Sequence, residues 1–198
     1  MVVGPDGALV KSYRKHLLWL LHDPAWSTPG PGYDTFVLKN RQGVDLKVGL
    51  GVCNDMWAVD HNRDRRGLAR FWRDQGCDVI AFSTNFPMEF IDEQRRDYDT
   101  DQTWNSRNEW KMLGHYWLSP LQPLYLAESS TPLKPCVAIM TNRCGGEDFF
   151  NVRAAEPKME LMEGAGCSVI LKFSPAIEVL SQSPMIEENV TCLDIQIC

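Results

Sequence analysis

The chain has 198 residues, of which 44% are hydrophobic and 23% charged, with a formal net charge of −6. That length fits one well-packed domain (residues 1–198), and the composition excludes a disordered chain. The acidic balance argues against nucleic acid or an anionic membrane as partner, and the apolar run Leu17–Leu21 is too short to span a bilayer.

Seven cysteines occur with no C-x-x-C pair and only four histidines, so no zinc-site spacing is present and no metal or cofactor is expected. An odd thiol count in a chain this long reads as a reducing compartment, cytoplasmic or nuclear. The opening "MVVGPDG" is read as neither a signal nor a transit peptide.

In chain order, Gly4-Pro5-Asp6-Gly7 predicts a tight turn whose first strand has almost no length. "ALVKSYRKHLLWLL" reads as a strand running into an apolar segment, and the Pro/Gly-rich residues 23–35 as a loop. A hairpin follows in "FVLKNRQGVDLKVGLGVC", its second strand ending at Cys53. Residues 62–76 predict a helix with Leu68, Phe71 and Trp72 on one side and Gly76 as the stop. "CDVIAFS", "KPCVAIMTN" and "CSVILKF" read as buried strands. Residues 103–118 read as a helix, with Trp104, Trp110, Leu113, Tyr116 and Trp117 as candidate buried or half-buried positions. Strand–helix–strand alternation over 45–85 predicts an α/β architecture, and the hairpins predict a mixed sheet.

Cys53 is the residue on which the chemistry turns. One reading makes it a core cysteine, since free Cys is among the most buried residue types. The other makes it a nucleophile at a strand end. Strand alternation puts Gly49, Gly51 and Cys53 on one face, which predicts open space beside the thiol. Backbone N–H groups of the following turn could favour a thiolate and stabilise an oxyanion. A thiol with its ordinary pKa near ~8.5 is only a few per cent ionised at neutral pH, so a base and a positive neighbour are needed. Lys15 is the candidate cation, although a lysine beside a strand is usually just solvated. His16, His22, His61 and His115 are alternatives as base, and spacing does not choose among them.

"PDGALVKSYRKHLLW", followed 38 residues after Lys15 by "GLGVCNDMW", resembles the nitrilase, or carbon–nitrogen hydrolase, superfamily. "CDVIAFSTNF", "VAIMTNRCGGED" and the segment from Gly166 to Ile195 extend the likeness over nearly the whole chain, most closely to the fungal protein N-terminal amidases. The resemblance implies a four-layer α-β-β-α sandwich, N-terminally incomplete, and a cysteine amidohydrolase that needs no cofactor. It implies Cys53 as nucleophile and Lys15 as oxyanion-stabilising cation, with the N–H of Asn54 as a second donor. Asp55, Thr84, Asn85, Phe86 and Asn142 would shape the oxyanion and substrate pocket, and Arg143 and Glu147 would form a structural ion pair. The implied substrate is an N-terminal Asn or Gln of a protein or peptide, deamidated for N-degron proteolysis. The alternatives are a small-molecule amide of the same superfamily, or a catalytically inactive fragment serving as a binding module. The family's catalytic glutamate precedes the lysine motif, whereas the first glutamate here is Glu89; little activity is expected of the 198 residues alone. A second family glutamate falls at Pro24, with Asp23 beside it.

Overall fold

The computed structural model describes residues 1–19, 23–56, 66–86, 109–127, 133–151, 158–173, 176–184 and 189–195, with backbone alone for 146–151 and 158–163. The predicted first turn is present. Strands β1 (Val2–Val3) and β2 (Leu9–Lys11) pair antiparallel around it, Gly4 N–H donates to Ala8 O at 2.8 Å, and Gly7 takes φ 79°. β2 is much shorter than its apolar run suggests. Beyond Lys11 the backbone N–H groups of His16 and Leu17 leave the ladder for a carboxylate elsewhere, that of Asp55.

β3 (Thr35–Lys39) and β4 (Asp45–Val52) form the expected hairpin. Its turn is built by the Asn40 side chain, whose oxygen accepts from the N–H groups of Gln42 and Val44 at 2.9 Å each. β5 (Val79–Thr84) and β6 (Cys136–Asn142) follow, then β7 (Cys144–Asn151), β8 (Lys158–Ala165), β9 (Val169–Phe173) and β10 (Ile177–Gln182). Six of them make one mixed sheet in the order β10-β9-β6-β5-β4-β3, with β4, β5 and β6 parallel and the rest antiparallel. β7 and β8 form a separate antiparallel pair. Of the four layers expected, the described residues supply one broad β layer and a helical layer.

The helical layer explains the glycines of β4. Helix α1 (Gly67–Asp74) buries Leu68, Ala69 and Trp72, half-buries Phe71, and ends where Gly76 enters a left-handed turn at φ 64°. The Trp72 indole lies along β4 and donates to Leu50 O at 3.2 Å. A Cβ on Gly49 would come within 2.4 Å of that indole, and one on Gly51 within 2.8 Å of Leu68 and 2.9 Å of Trp72. The glycine face is therefore filled by the helix, correcting the expectation of open space beside the thiol. Ile80, Phe82, Ala138, Met140, Leu171 and Phe173 complete this core from the neighbouring strands.

The helix expected over 103–118 is described from residue 109, and Met112–Leu118 is wound as a π-helix: Ser119 N–H reaches back five residues to Gly114 O at 3.0 Å. Leu113 and Trp117 are buried as expected and Tyr116 is half-buried, but Trp110 is 72% exposed. Trp104 lies outside the described residues. No described helix is long and apolar enough to cross a membrane.

Candidate active site

β4 ends in a change of handedness. Val52 is extended at φ −136°, and Cys53 turns to φ 47° to start a short 3₁₀ turn over Cys53–Asp55. A left-handed non-glycine residue costs about 1–3 kcal/mol and persists only where its surroundings fix it. The fixing group is Asp55, 2% exposed. Its Oδ2 accepts from Val52 N–H at 2.9 Å and Tyr13 O–H at 2.7 Å; its Oδ1 accepts from His16 N–H at 2.8 Å and Leu17 N–H at 2.7 Å. Asn54 adds a fifth tie, its Nδ2 donating to Leu18 O at 2.9 Å. Two side chains that follow the cysteine thus fasten residues 13–18 onto its turn.

Lys15 rides on that fastened segment. Its Nζ pairs with Asp23 Oδ2 at 2.5 Å, and the same oxygen accepts from Trp19 N–H at 2.7 Å. Lys15 O in turn accepts from Gly30 N–H at 2.7 Å, and Ser27 Oγ caps Asp23 O at 2.8 Å. A buried Asp23 in a 3₁₀ turn (Asp23–Ala25) holds the ammonium on one side. Its role is the feature that sequence reading left least developed. The available signal was an acid just before Pro24, where a proline can open a helical turn.

The parallel register places the remaining candidates. Val52 lies beside Ser83, and Thr84 beside Asn142, so Cys53, Thr84 and Asn142 come together at the carboxyl ends of three adjacent strands. Open α/β sheets bind ligands at that edge. Asn142 is spent on structure: Oδ1 accepts from Phe86 N–H at 2.7 Å and Nδ2 donates to Gly166 O at 2.8 Å. Phe86 is buried among aromatics, with ring centroids 5.4 Å from Tyr116 and 6.0 Å from Trp117. The side chains of Asp55, Phe86 and Asn142 are thus committed to contacts within the protein at this edge. Thr84 Oγ1 and Asn85 Oδ1 are different, being buried with no hydrogen-bond partner among the described residues.

Burial pushes the Tyr13 hydroxyl far above its usual range, with the Asp55 charge adding to it, so Tyr13 stays a donor. Burial likewise raises Cys77 to about 11, and Cys136 and Cys167 to about 12. Cys53 and Cys144 are half-buried and Cys192 is exposed, so Cys53 is not the most accessible thiol. His16 Nδ1 sits 3.0 Å from Gly30 O, its ring edge-on to Tyr33, and His115 is edge-on to Tyr116. His22, His61, Glu89 and the Glu147 side chain lie outside the described residues. Among those described, no group of three or more His, Cys, Asp or Glu is placed to hold a metal.

No family model matches the chain. Human omega-amidase NIT2 is 30% identical over 93 residues, a match covering 43% of this chain and 29% of that protein. The chain thus spans under a third of the curated relatives it matches. Among solved structures, N-terminal amidase with a Gln-Val peptide superposes with TM-score 0.64 at 14% identity, covering 92% of this chain and 70% of that one. The same enzyme with an Asn-Glu peptide gives TM-score 0.64 at 13% identity and the same coverage. At such identity the likeness establishes the fold: the chain is built on the α/β architecture of the N-terminal amidases, the nitrilase-type fold its motifs resemble.

Proposed function

We propose that the chain is a carbon–nitrogen hydrolase of primary amides, with Cys53 as nucleophile, and that its substrates are N-terminal Asn and Gln residues. One observation carries the reading: a left-handed Cys53 at the carboxyl end of β4, with the segment bearing Lys15 fastened to its turn through Asp55. Strained strand-to-turn nucleophiles present their side chains at a sheet edge in the same way. The thiolate attacks the amide carbon, and the carbonyl electrons move to oxygen, opposite the Lys15 ammonium and the N–H of Asn54. The carbon–nitrogen bond breaks, and nitrogen leaves as ammonia with a transferred proton. Water then hydrolyses the thioester, releasing the acid and the thiol. Removing one oxyanion donor costs about 10²–10³ in rate in a studied enzyme. The N-terminal amidase structures with Gln-Val and Asn-Glu peptides support the N-terminal substrate. The NIT2 match favours a small amide as the second reading.

The test separates attack from leaving-group protonation. A p-nitrophenyl ester of an Asn-like acyl group expels a phenolate that needs no proton. It should acylate Cys53 in a stoichiometric burst, with the adduct on the Cys53 peptide by mass spectrometry. Cys53→Ala should abolish the burst and Lys15→Met should slow it. Equal bursts in all three proteins would refute the assignment.

A further inference from the structure

The stretch that carries Asp23 is closed onto the Lys15 segment at Gly30. Gly30 N–H donates to Lys15 O at 2.7 Å, and Gly30 O lies 3.0 Å from His16 Nδ1. A carbonyl only accepts, so Nδ1 carries the proton and donates. Gly30 is buried, and a Cβ on it would collide with Arg14 O, so the two backbones meet with no room for a side chain. Residues 15 and 30 thereby come together as loop ends do in Ω-loops, which frequently carry function. His16 reaches the other anchors of this region as well. Its N–H donates to Asp55 Oδ1 at 2.8 Å, and its ring stands edge-on to Tyr33 with 5.2 Å between centroids. Tyr33 in turn packs against Phe71 of α1 at 5.6 Å.

Resting on the reading of Cys53 as nucleophile and Lys15 as its cation, we infer that His16 is a positioning residue for Lys15, acting through Gly30 and Asp23. A lysine ammonium rides on a flexible four-carbon stem, and an oxyanion donor works best when it is fixed before the reaction begins. Asp23 fixes the ammonium. Asp23 itself stands in a Pro/Gly-rich stretch with one short 3₁₀ turn, so its place depends on where that stretch is anchored. Trp19 N–H holds its carboxylate on the near side, and the clip of Gly30 between Lys15 and His16 holds the stretch on the far side. Without the Nδ1 donor the buried Gly30 carbonyl loses its side-chain partner, and Asp23 is free to shift against Lys15.

The experiment follows the ester burst against ester concentration, which gives a maximal acylation rate and a half-saturating concentration. His16→Phe keeps a ring against Tyr33 and removes the donor. Its maximal rate should fall about tenfold or more, towards the roughly 10²-fold that a 1 Å misplacement can cost, with half-saturation nearly unchanged. His16→Asn, whose amide N–H takes the place of Nδ1–H, should restore most of the rate. Gly30→Ala, whose Cβ meets Arg14 O, should repeat the loss. The deciding readout is coupling: in a Lys15→Met background, His16→Phe should slow the burst no further, because no ammonium is left to place. A merely structural His16 would slow both backgrounds alike. Should His16→Phe not fold, His16→Gln, whose amide lies one bond too far out, carries the same coupling test. Equal slowing in both backgrounds, a donor-less variant as fast as the parent, or His16→Asn as slow as His16→Phe overturns the inference. A parent protein with no burst on the Cys53 peptide instead refutes the nucleophile reading, and this inference with it.

Discussion

Three cysteines provide an internal scale for a fourth. Cys77, Cys136 and Cys167 are buried, and desolvation lifts their thiols to about 11, 12 and 12, well above the ordinary thiol range. Thiolate is the reactive form, so these three should label slowly at neutral pH, whereas half-buried Cys53 should label faster than any of them. Competitive alkylation with peptide mass spectrometry checks this, with exposed Cys192 as the fast reference. Labelling of Cys53 no faster than Cys136 would return it to the core-cysteine reading. The same shifts fix a pH dependence. A thiol whose folded pKa is raised keeps its proton in the native state after the unfolded chain has lost it. Its contribution is fully present below about pH 9 and is lost as pH climbs through 11 and 12. Tm should therefore fall across that alkaline window, and more gently in Cys136→Ala measured against its own neutral-pH Tm.

At the scale of elements, the informative junction is β4, its turn and the segment 13–18. Apolar runs and turn residues made β3 to β6 and β9 legible, because buried strands of β-branched residues and an Asn–Gly-type turn carry their own signals. β10 and the β7–β8 pair were not foreseen. "CGGEDFFN" opens with two glycines and two acids and has no alternation, and "KMELMEGA" alternates only at Met159 and Leu161. The glycine face of β4 was misread for a related reason. Alternation says which face a residue takes, but not that Trp72 from a helix one strand-connection away fills it. Motif likeness singled out Cys53 and Lys15 as candidates, whereas the carboxylate that joins their segments, Asp55, depends on contacts 38 to 42 residues apart. Asp55 tests that junction. Asp55→Ala strands the N–H groups of Val52, His16 and Leu17 along with the Tyr13 hydroxyl, and should cost about 3–5 kcal/mol, as breaking a buried charged network does. Tyr13→Phe removes one of the four bonds and should cost about 1–3 kcal/mol, a charged acceptor being involved. Denaturant unfolding measures both, and a small loss for Asp55→Ala would mean that the two segments hold together by other contacts.

For the molecule as a whole, the question is whether the described site can complete turnover of an amide. Attack by a thiol requires its proton to be taken and then given to the departing nitrogen, and such general acid–base help is worth typically about 10²–10⁴-fold. The carboxylates of Asp23 and Asp55, which hold the Lys15 segment, are both engaged. Asp23 is paired with Lys15 and bonded to Trp19 N–H, and Asp55 accepts from four donors at once. The oxygens that hold these donors are already in use, and general-base help needs an acceptor within hydrogen-bond reach of the proton it takes. The 198-residue chain should therefore acylate readily with an activated ester yet release little ammonia from Asn- or Gln-initiated peptides. A glutamate-linked ammonia assay, run beside the ester burst on the same preparation, measures both halves. Rapid ammonia release that vanishes in Cys53→Ala would assign the proton transfer to a residue of this chain, and Asp23→Asn would then show whether it is Asp23. Ammonia release that persists in Cys53→Ala would place the chemistry away from β4 altogether.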